Sequence, residues 1–236
     1  MAATQNPSRR IRLAIAGLGA VARNIHLPSY RRLTDRIELV GGCDVDPAST
    51  AQLRDRYPEV PVFAKFGKML RATRPDMVAI CTPPFLHHEQ CLEALAAGCH
   101  VFCEKPMVET VREADEIIAA AAKADRQVVV NSQFPYMRIH QAAKRCIGSP
   151  EFGQLLYLHA SQTFHPTKQT EAAWRGEMQR RLGFEFGVHV FELIRFFFGE
   201  NPVQLIAHMP NPAADKHSEV LNLIILEFSN GRAASI

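Results

Sequence analysis

Residues 10–24 read RIRLAIAGLGAVARN, and this stretch decides the fold. An apolar run breaks at Gly17-Leu18-Gly19-Ala20-Val21-Ala22 and then resumes with helical texture, giving the order strand, tight turn, helix. In a turn of this kind the first glycine makes the bend, the second lets the backbone approach a pyrophosphate, and a small third residue, here Ala22, lets helix pack on strand. A helix beginning near Ala20 points unpaired N–H groups and the positive end of its dipole at the same place, so Gly17, Gly19, Ala20 and Val21 form a candidate cradle for phosphates. Small residues also serve ordinary turns, and the next segment has to separate the two readings.

Ile37 to Asp44 (IELVGGCD) reads as a second strand that ends in an acid. It ends about twenty residues past the glycine turn, where a carboxylate can accept hydrogen bonds from the adenosine ribose hydroxyls of a dinucleotide. Asp44 therefore favours NAD over NADP: a 2′-phosphate would meet like charge, and the nearest basic candidates, Arg54 and Arg56, stand on the following helix. A helix cap or turn residue ahead of Asp46-Pro47 is the plainer role for Asp44, and the two roles are compatible.

At 236 residues, 47% hydrophobic and 22% charged, the chain has room for one large domain or two of moderate size and the composition of a globular protein. A net charge of +3 without a long basic run gives no reason to expect nucleic acid as a partner. The six cysteines are spread out with no C-x-x-C spacing, as expected of reduced packing residues in a cytoplasmic protein. No apolar stretch has the length of a membrane span, so no membrane partner is expected. Ser8-Arg9-Arg10 superficially resembles a twin-arginine export signal, but the apolar run behind it is the strand and turn that a cofactor needs.

The alternation continues with a helix over Ala48 to Tyr57, a short strand near Val62, a helix over Phe66 to Thr73, and a buried strand over Met77 to Cys81. Alternation of this kind predicts a parallel sheet. Thr82-Pro83-Pro84 must leave that sheet, a helix runs from His87 to Ala97, and Gly98 closes it. His100 to Cys103 is strand, Glu104-Lys105-Pro106 a bend, Thr110 to Ala124 helix and Gln127 to Asn131 a sixth strand, which completes a first domain over 1–130. In the second, 131–236, Ile139 to Ile147 is helical, Gln154 to Thr163 has strand character, Pro166 to Glu177 is a polar loop, and Phe184 to Phe198 is helix. Val203 to Met209 and Glu219 to Phe228 alternate as antiparallel strands around an Asn211 to Ser218 loop. Asn230-Gly231 signals a hairpin whose returning strand has hardly begun, so the sheet is expected to be incomplete.

The residues collectively resemble the glucose-fructose oxidoreductase and inositol dehydrogenase (Gfo/Idh/MocA) family. The carriers are the glycine turn, His26-Leu27-Pro28, Cys43-Asp44, Thr82-Pro83-Pro84 with His87, the run from Ala97 through Glu104-Lys105-Pro106, Trp174-Arg175 and Gly187-Val188-His189. The resemblance implies an α/β chain: an N-terminal Rossmann dinucleotide-binding domain, then an α+β domain on an open, mainly antiparallel sheet whose outer face makes homo-oligomers. It implies an active site between the two domains, with Thr82, Pro83 and His87 near an NAD cofactor, Glu104 and Lys105 beside its nicotinamide, and Lys105 and His189 facing the substrate.

The residue chemistry agrees with several of these implications. Lys105 falls just past the carboxyl end of a strand, where open α/β sheets bind ligands, and a lysine there can stabilise a developing alkoxide; a plain surface lysine is the alternative. Glu185, His189 and Glu192 fall at i, i+4 and i+7 on one helix face, amid Phe184, Phe186, Val190 and Phe191. A neutral His189 can take a hydroxyl proton while hydride leaves carbon, with Glu185 or Glu192 holding the ring tautomer; a solvated helix face is the alternative. The chain departs from the family at Glu185 and Glu192, where aspartate is commoner, and at Gln179-Arg180-Arg181, where glycines are. The longer Glu185 moves its carboxylate by roughly an ångström or more, a displacement catalytic geometry tolerates poorly. His87-His88-Glu89 with Cys91 invites a metal reading, but no distant cluster completes a ligand set, and no metal is expected. The leading expectation is an NAD(P)-dependent dehydrogenase acting on a sugar, cyclitol or related polyol; the rival is a non-catalytic cofactor-binding regulator or partner subunit of the same fold.

Overall fold

Strand β1 (Ile11–Ala16) buries every side chain from Leu13 to Ala16. A strand apolar on both faces needs a layer on each side. Leu13 and Ile15 pack with Leu27, Leu53 and Ala79, while Ala14 and Ala16 pack with Met69, Cys91, Leu95, Val101 and Ile117. Each large aliphatic side chain so buried contributes about 1.5–3 kcal/mol, so the two faces fix the register of the strand firmly.

The computed structural model describes residues 9–163, 173–176, 178, 181–210 and 221–236. Its backbone divides into two units, with the boundary between Asn131 and Ser132. In the first, β2 (Ile37–Cys43), β3 (Val62–Phe63), β4 (Met77–Ile80), β5 (His100–Cys103) and β6 (Val128–Val130) join β1 in the order β3-β2-β1-β4-β5-β6, and every pairing is parallel. The chain leaves β1 for one side of the sheet and returns beyond it at β4. The crevice of such a sheet lies outside the carboxyl ends of the strands at that reversal. Helices α1 (Leu27–Arg31), α2 (Pro47–Arg56), α3 (Phe66–Thr73), α4 (His87–Ala96) and α5 (Val111–Ala124) alternate with the strands.

Local chemistry sets the helix ends. The carboxylate of Asp46 accepts from Ala48 N–H and Ser49 N–H ahead of α2, with Pro47 in the first turn, and Thr110 and Glu113 form a reciprocal capping box on α5. Gly98 takes φ +79° just past α4, a conformation that costs glycine little. The helix after β1 is not plain α: Ala22–His26 is π-helical and passes into α1 at Leu27.

The second unit contains α6 (Arg138–Cys146), β7 (Tyr157–His159), α7 (Ala173–Gly176), α8 (Val188–Phe198), β8 (Gln204–His208), β9 (Leu223–Glu227) and β10 (Ala233–Ser235). Its sheet has the order β7-β10-β9-β8; β8–β9 and β9–β10 pair antiparallel, whereas β10–β7 is parallel, so the sheet is mixed. Asn230 and Gly231 both take positive φ, +63° and +73°, between β9 and β10, as the hairpin signal requires. One face of the sheet buries Ile224, Leu226 and Ala234 against Val190, Ile194 and Phe198 of α8, and the Phe198 ring stacks on Phe228 at 4.0 Å.

Two expectations change here. Trp174 and Arg175 lie in a one-turn helix rather than a polar loop, and the rest of that loop, like the Asn211 to Ser218 loop, is wholly or largely outside the described residues. The helix expected from Phe184 is π-helical over Leu182–Gly187 and becomes α only at Val188, so a 3.6-residue face does not run through it. Among the described residues no helix is long and apolar enough to cross a membrane.

Candidate functional site

The two glycines of the turn are glycines for different reasons. Gly17 is buried at φ +82°, and a Cβ there would lie 2.5 Å from the Cys81 carbonyl carbon and oxygen. The fold itself demands that glycine, because β1 and the end of β4 touch through it. Gly19 is exposed, and a Cβ on it would meet nothing within 4 Å. The protein's own packing has no use for a bare backbone at Gly19, which leaves open space for a group approaching from outside. Helical structure begins at Ala20, directly after it, so the turn fits the pyrophosphate of a dinucleotide.

Asp44 follows β2 and braces this turn: its Oδ2 accepts from Leu18 N–H at 2.7 Å and its Oδ1 from Asp46 N–H at 2.9 Å. The turn role expected as one alternative is thus present, while the helix cap belongs to Asp46. Arg54 and Arg56 are exposed on α2, whereas Arg23, which spacing did not single out, reaches Ser49 in the first turn of that helix.

After β4, Thr82 donates its hydroxyl to Gln90 Oε1 at 2.7 Å. His87 is fully buried, with Nδ1 2.9 Å from the Pro106 carbonyl and Nε2 2.8 Å from the Thr82 carbonyl. Burial pushes its pKa down, against the opposing pull of those carbonyls. Its ring therefore ties the loop after β4, with Thr82 and Pro83, to the loop after β5, with Lys105. Both nitrogens point at backbone, and among the described residues no group of three or more His, Cys, Asp or Glu is placed to hold a metal ion.

At the end of β5, Glu104 N–H donates to Ile80 O at 2.9 Å, which seats its side chain beside β4. Glu104 Oε1 accepts from His26 Nε2 at 2.7 Å and from Asn131 Nδ2 at 2.7 Å; Oε2 accepts from Lys105 N–H at 3.2 Å. Burial raises the carboxyl's pKa, but hydrogen bonds from His26 and Asn131 outweigh it and leave it below the ordinary glutamate value. His26 Nδ1 in turn lies 3.0 Å from the Tyr30 hydroxyl, whose own ionisation burial suppresses. Sequence reading noticed His26 only within a motif and missed Tyr30 and Asn131 entirely. No periodic signal links residues separated by 27 or 78 positions.

In the second unit Glu185 is buried and accepts from Arg175 Nε at 2.5 Å and from Arg181 Nε at 2.9 Å. His189 is buried on α8 with its ring stacked on Phe134, 4.4 Å between centroids and 11° between planes. Glu192 is half-exposed and paired with Arg195 at 2.9 Å. The structure thus puts Gly17, Gly19, Asp44, Thr82, Pro83, Glu104 and Lys105 on loops directly after strands of the first unit and Ala20 and Val21 at the helix start after β1, with His87 buried between the loops after β4 and β5. Glu185 and His189 stand on successive parts of one helical segment of the second.

A family model described as "Oxidoreductase family, NAD-binding Rossmann fold" matches residues 11–132, and another, "GFO/IDH/MocA C-terminal domain", matches residues 140–236. The chain belongs to the Gfo/Idh/MocA oxidoreductase family. Its first unit is that family's NAD-binding Rossmann domain. The chain is 40% identical over 116 residues to the D-glucoside 3-dehydrogenase of Escherichia coli K12, covering 49% of this chain and 33% of that one. It is 28% identical over 234 residues to the inositol 2-dehydrogenase of Pseudarthrobacter chlorophenolicus, covering 96% of this chain and 66% of that one. A crystal structure of the WlbA dehydrogenase from Chromobacterium violaceum, in complex with NADH and UDP-GlcNAcA, superposes with a TM-score of 0.86 at 27% identity, covering 96% of this chain and 66% of that one. The chain thus spans between a third and two thirds of the length of these relatives.

Proposed function

We propose that this family member is an NAD-dependent dehydrogenase that moves hydride between the nicotinamide and a hydroxyl-bearing carbon of a sugar, cyclitol or related polyol. The observation that carries this reading is Gly19, a glycine the fold does not need, on a turn braced by Asp44. When bound, the nicotinamide supplies the hydride acceptor. Gly17, Gly19, Ala20 and Val21 hold the pyrophosphate, Asp44 accepts from the ribose, and Thr82, Pro83 and Glu104 line the rest of the cofactor site, with His87 fixing the loops that carry them. Lys105, half-buried just past β5, donates to the substrate hydroxyl and stabilises the developing alkoxide. His189, its plane fixed by Phe134, takes the hydroxyl proton. Glu185 acts through the segment that carries His189.

The experiment is a screen of sugars and polyols with NAD⁺ at alkaline pH, followed by NADH absorbance. NADH formation that is lost in Lys105→Ala and in His189→Ala supports the reading. NADH binding without turnover on any substrate favours a non-catalytic regulator or partner subunit, a reading supported by the engagement of Glu185 with Arg175 and Arg181.

The same reading puts the chain in the cytoplasm, with its cysteines reduced; Cys81, whose pKa burial pushes up, and Cys103, whose pKa is raised by its hydrogen bond with Cys91 and then by burial, suit that role. It also makes the chain a homo-oligomer through the second sheet, where Ile206, Leu223 and Ile225 stand exposed opposite the face covered by α8. Light scattering coupled to gel filtration tests this: a monomer at micromolar concentration refutes it.

A further inference from the structure

Four side chains from three parts of the first unit form one hydrogen-bonded chain around a carboxylate. Tyr30 and His26 come from the helical segment after β1, Glu104 from the end of β5, and Asn131 from the end of β6. The protons in this chain can be assigned from its acceptors. Asn131 Nδ2 and His26 Nε2 both approach Glu104 Oε1 at 2.7 Å, and Lys105 N–H approaches Oε2. These hydrogen bonds favour the charged form over the acid and hold the carboxyl below its ordinary pKa against the cost of burial, so Glu104 is an anion at neutral pH. His26 Nε2 therefore carries a proton, and the other ring nitrogen, Nδ1, lies 3.0 Å from the Tyr30 hydroxyl. Tyr30 thus braces the His26 ring, and the His26 ring braces Glu104. His26 is buried, with its ring set edge-on against Phe102, so the chain has little room to rearrange. Glu104 keeps 13% of its side chain accessible.

We propose that this Tyr30–His26–Glu104–Asn131 chain holds a fixed negative charge at the cofactor site, and that this charge makes the site favour oxidised over reduced nicotinamide. The proposal rests on the reading above that Glu104 borders the nicotinamide. The physical reason is that the oxidised ring is a cation and the reduced ring is neutral, so an anion beside it attracts one form only. A carboxylate within a few ångströms of the ring, screened as a partly buried site is, is expected to alter the ratio of the two dissociation constants about ten- to hundred-fold. Tyr30, His26 and Asn131 are positioning residues: they act on the nucleotide through the charge and orientation of Glu104.

The test is calorimetric titration of the whole chain with NAD⁺ and, separately, with NADH. In Glu104→Gln, which keeps shape and removes charge, the ratio Kd(NADH)/Kd(NAD⁺) is expected to fall at least about tenfold, chiefly through weaker NAD⁺ binding. Tyr30→Phe removes only a hydroxyl, and His26→Asn only the relay; each is expected to lower the same ratio by a smaller factor while circular dichroism stays unchanged. A structural role would weaken both nucleotides equally, and an unchanged ratio in Glu104→Gln overturns the proposal while leaving the cofactor reading intact. Failure of the unaltered chain to bind either nucleotide removes that reading and the proposal with it.

Discussion

The two glycines of the turn allow one small substitution to separate folding from binding. Gly17→Ala forces a side chain into the left-handed region, φ +82°, at a cost of about 1–2 kcal/mol. It also places a carbon 2.5 Å from the carbonyl group of Cys81. Carbon contacts are comfortable only from about 3.5 Å, so the overlap is roughly an ångström. The obstacle is backbone, and Cys81 N–H is itself bonded to Ala16 O at 2.7 Å, so relief requires β1 and β4 to part. Overpacking of this kind costs about 1–3 kcal/mol. The total of roughly 2–5 kcal/mol corresponds to a fall in Tm of about 4–20 °C for a chain of this size.

Gly19→Ala meets nothing and does not require a left-handed backbone. Its Tm is expected to hold or rise slightly, because alanine has less unfolded-state freedom to lose. Its methyl group occupies the space a phosphate needs. Losing one charged hydrogen bond there, worth about 1.5–3 kcal/mol, weakens NADH about ten- to hundred-fold. Thermal melts and NADH fluorescence titrations on both variants read the two effects independently. The reasoning is refuted if Gly19→Ala binds NADH like the unaltered chain, or if it loses as much stability as Gly17→Ala.

Because His87 is held neutral below its ordinary pKa, its contribution to stability is fully present above about pH 6.5 and is lost as pH falls through the native value. Stability should decline below pH 6.5 with a slope of up to about 1.4 kcal/mol per pH unit from this one group, and His87→Gln should flatten the decline; parallel profiles would count against the assignment. Glu185→Ala leaves Arg175 and a buried Arg181 without their shared carboxylate, and denaturant melts should show a loss of about 2–4 kcal/mol, reduced below the full buried-pair value because Arg175 is partly accessible. Phe198→Ala removes a ring stacked on Phe228 in the core of the second unit, and the same melts should register a loss of about 3–5 kcal/mol.

What the sequence made legible was whatever rests on neighbouring residues. Phe66–Thr73 follows from its apolar spacing, the parallel sheet from the alternation of strand and helix, and the β9–β10 turn from Asn230-Gly231, because each depends on propensity and patterning within a few positions. The positions of Gly17 and Gly19 were legible too, but not that the fold demands the first and leaves the second in open space. That distinction depends on Cys81, which is remote in sequence. The polar bracing was illegible for the same reason: His26 to Glu104, His87 to Pro106 and Asp44 to Leu18 are each made by one side chain reaching another loop, and a sequence names the groups without saying where they point.

The two π-helical stretches show where pattern reading fails for a physical cause. Face assignment assumes about 100° of rotation per residue, and one residue added to a turn rotates all that follows by about that much. Ala22–His26 ends on His26, whose ring is buried against Glu104; Leu182–Gly187 contains Glu185, whose carboxylate is buried against two guanidiniums. In each case the widened turn carries a polar side chain to an inward partner, and the following helix, α1 or α8, still presents apolar residues, Leu27 or Val190 and Ile194, to its core. Wide turns are strained and seldom retained without use. Their placement beside His26 and Glu185 therefore supports reading those two residues as parts of the site rather than as incidental surface charge.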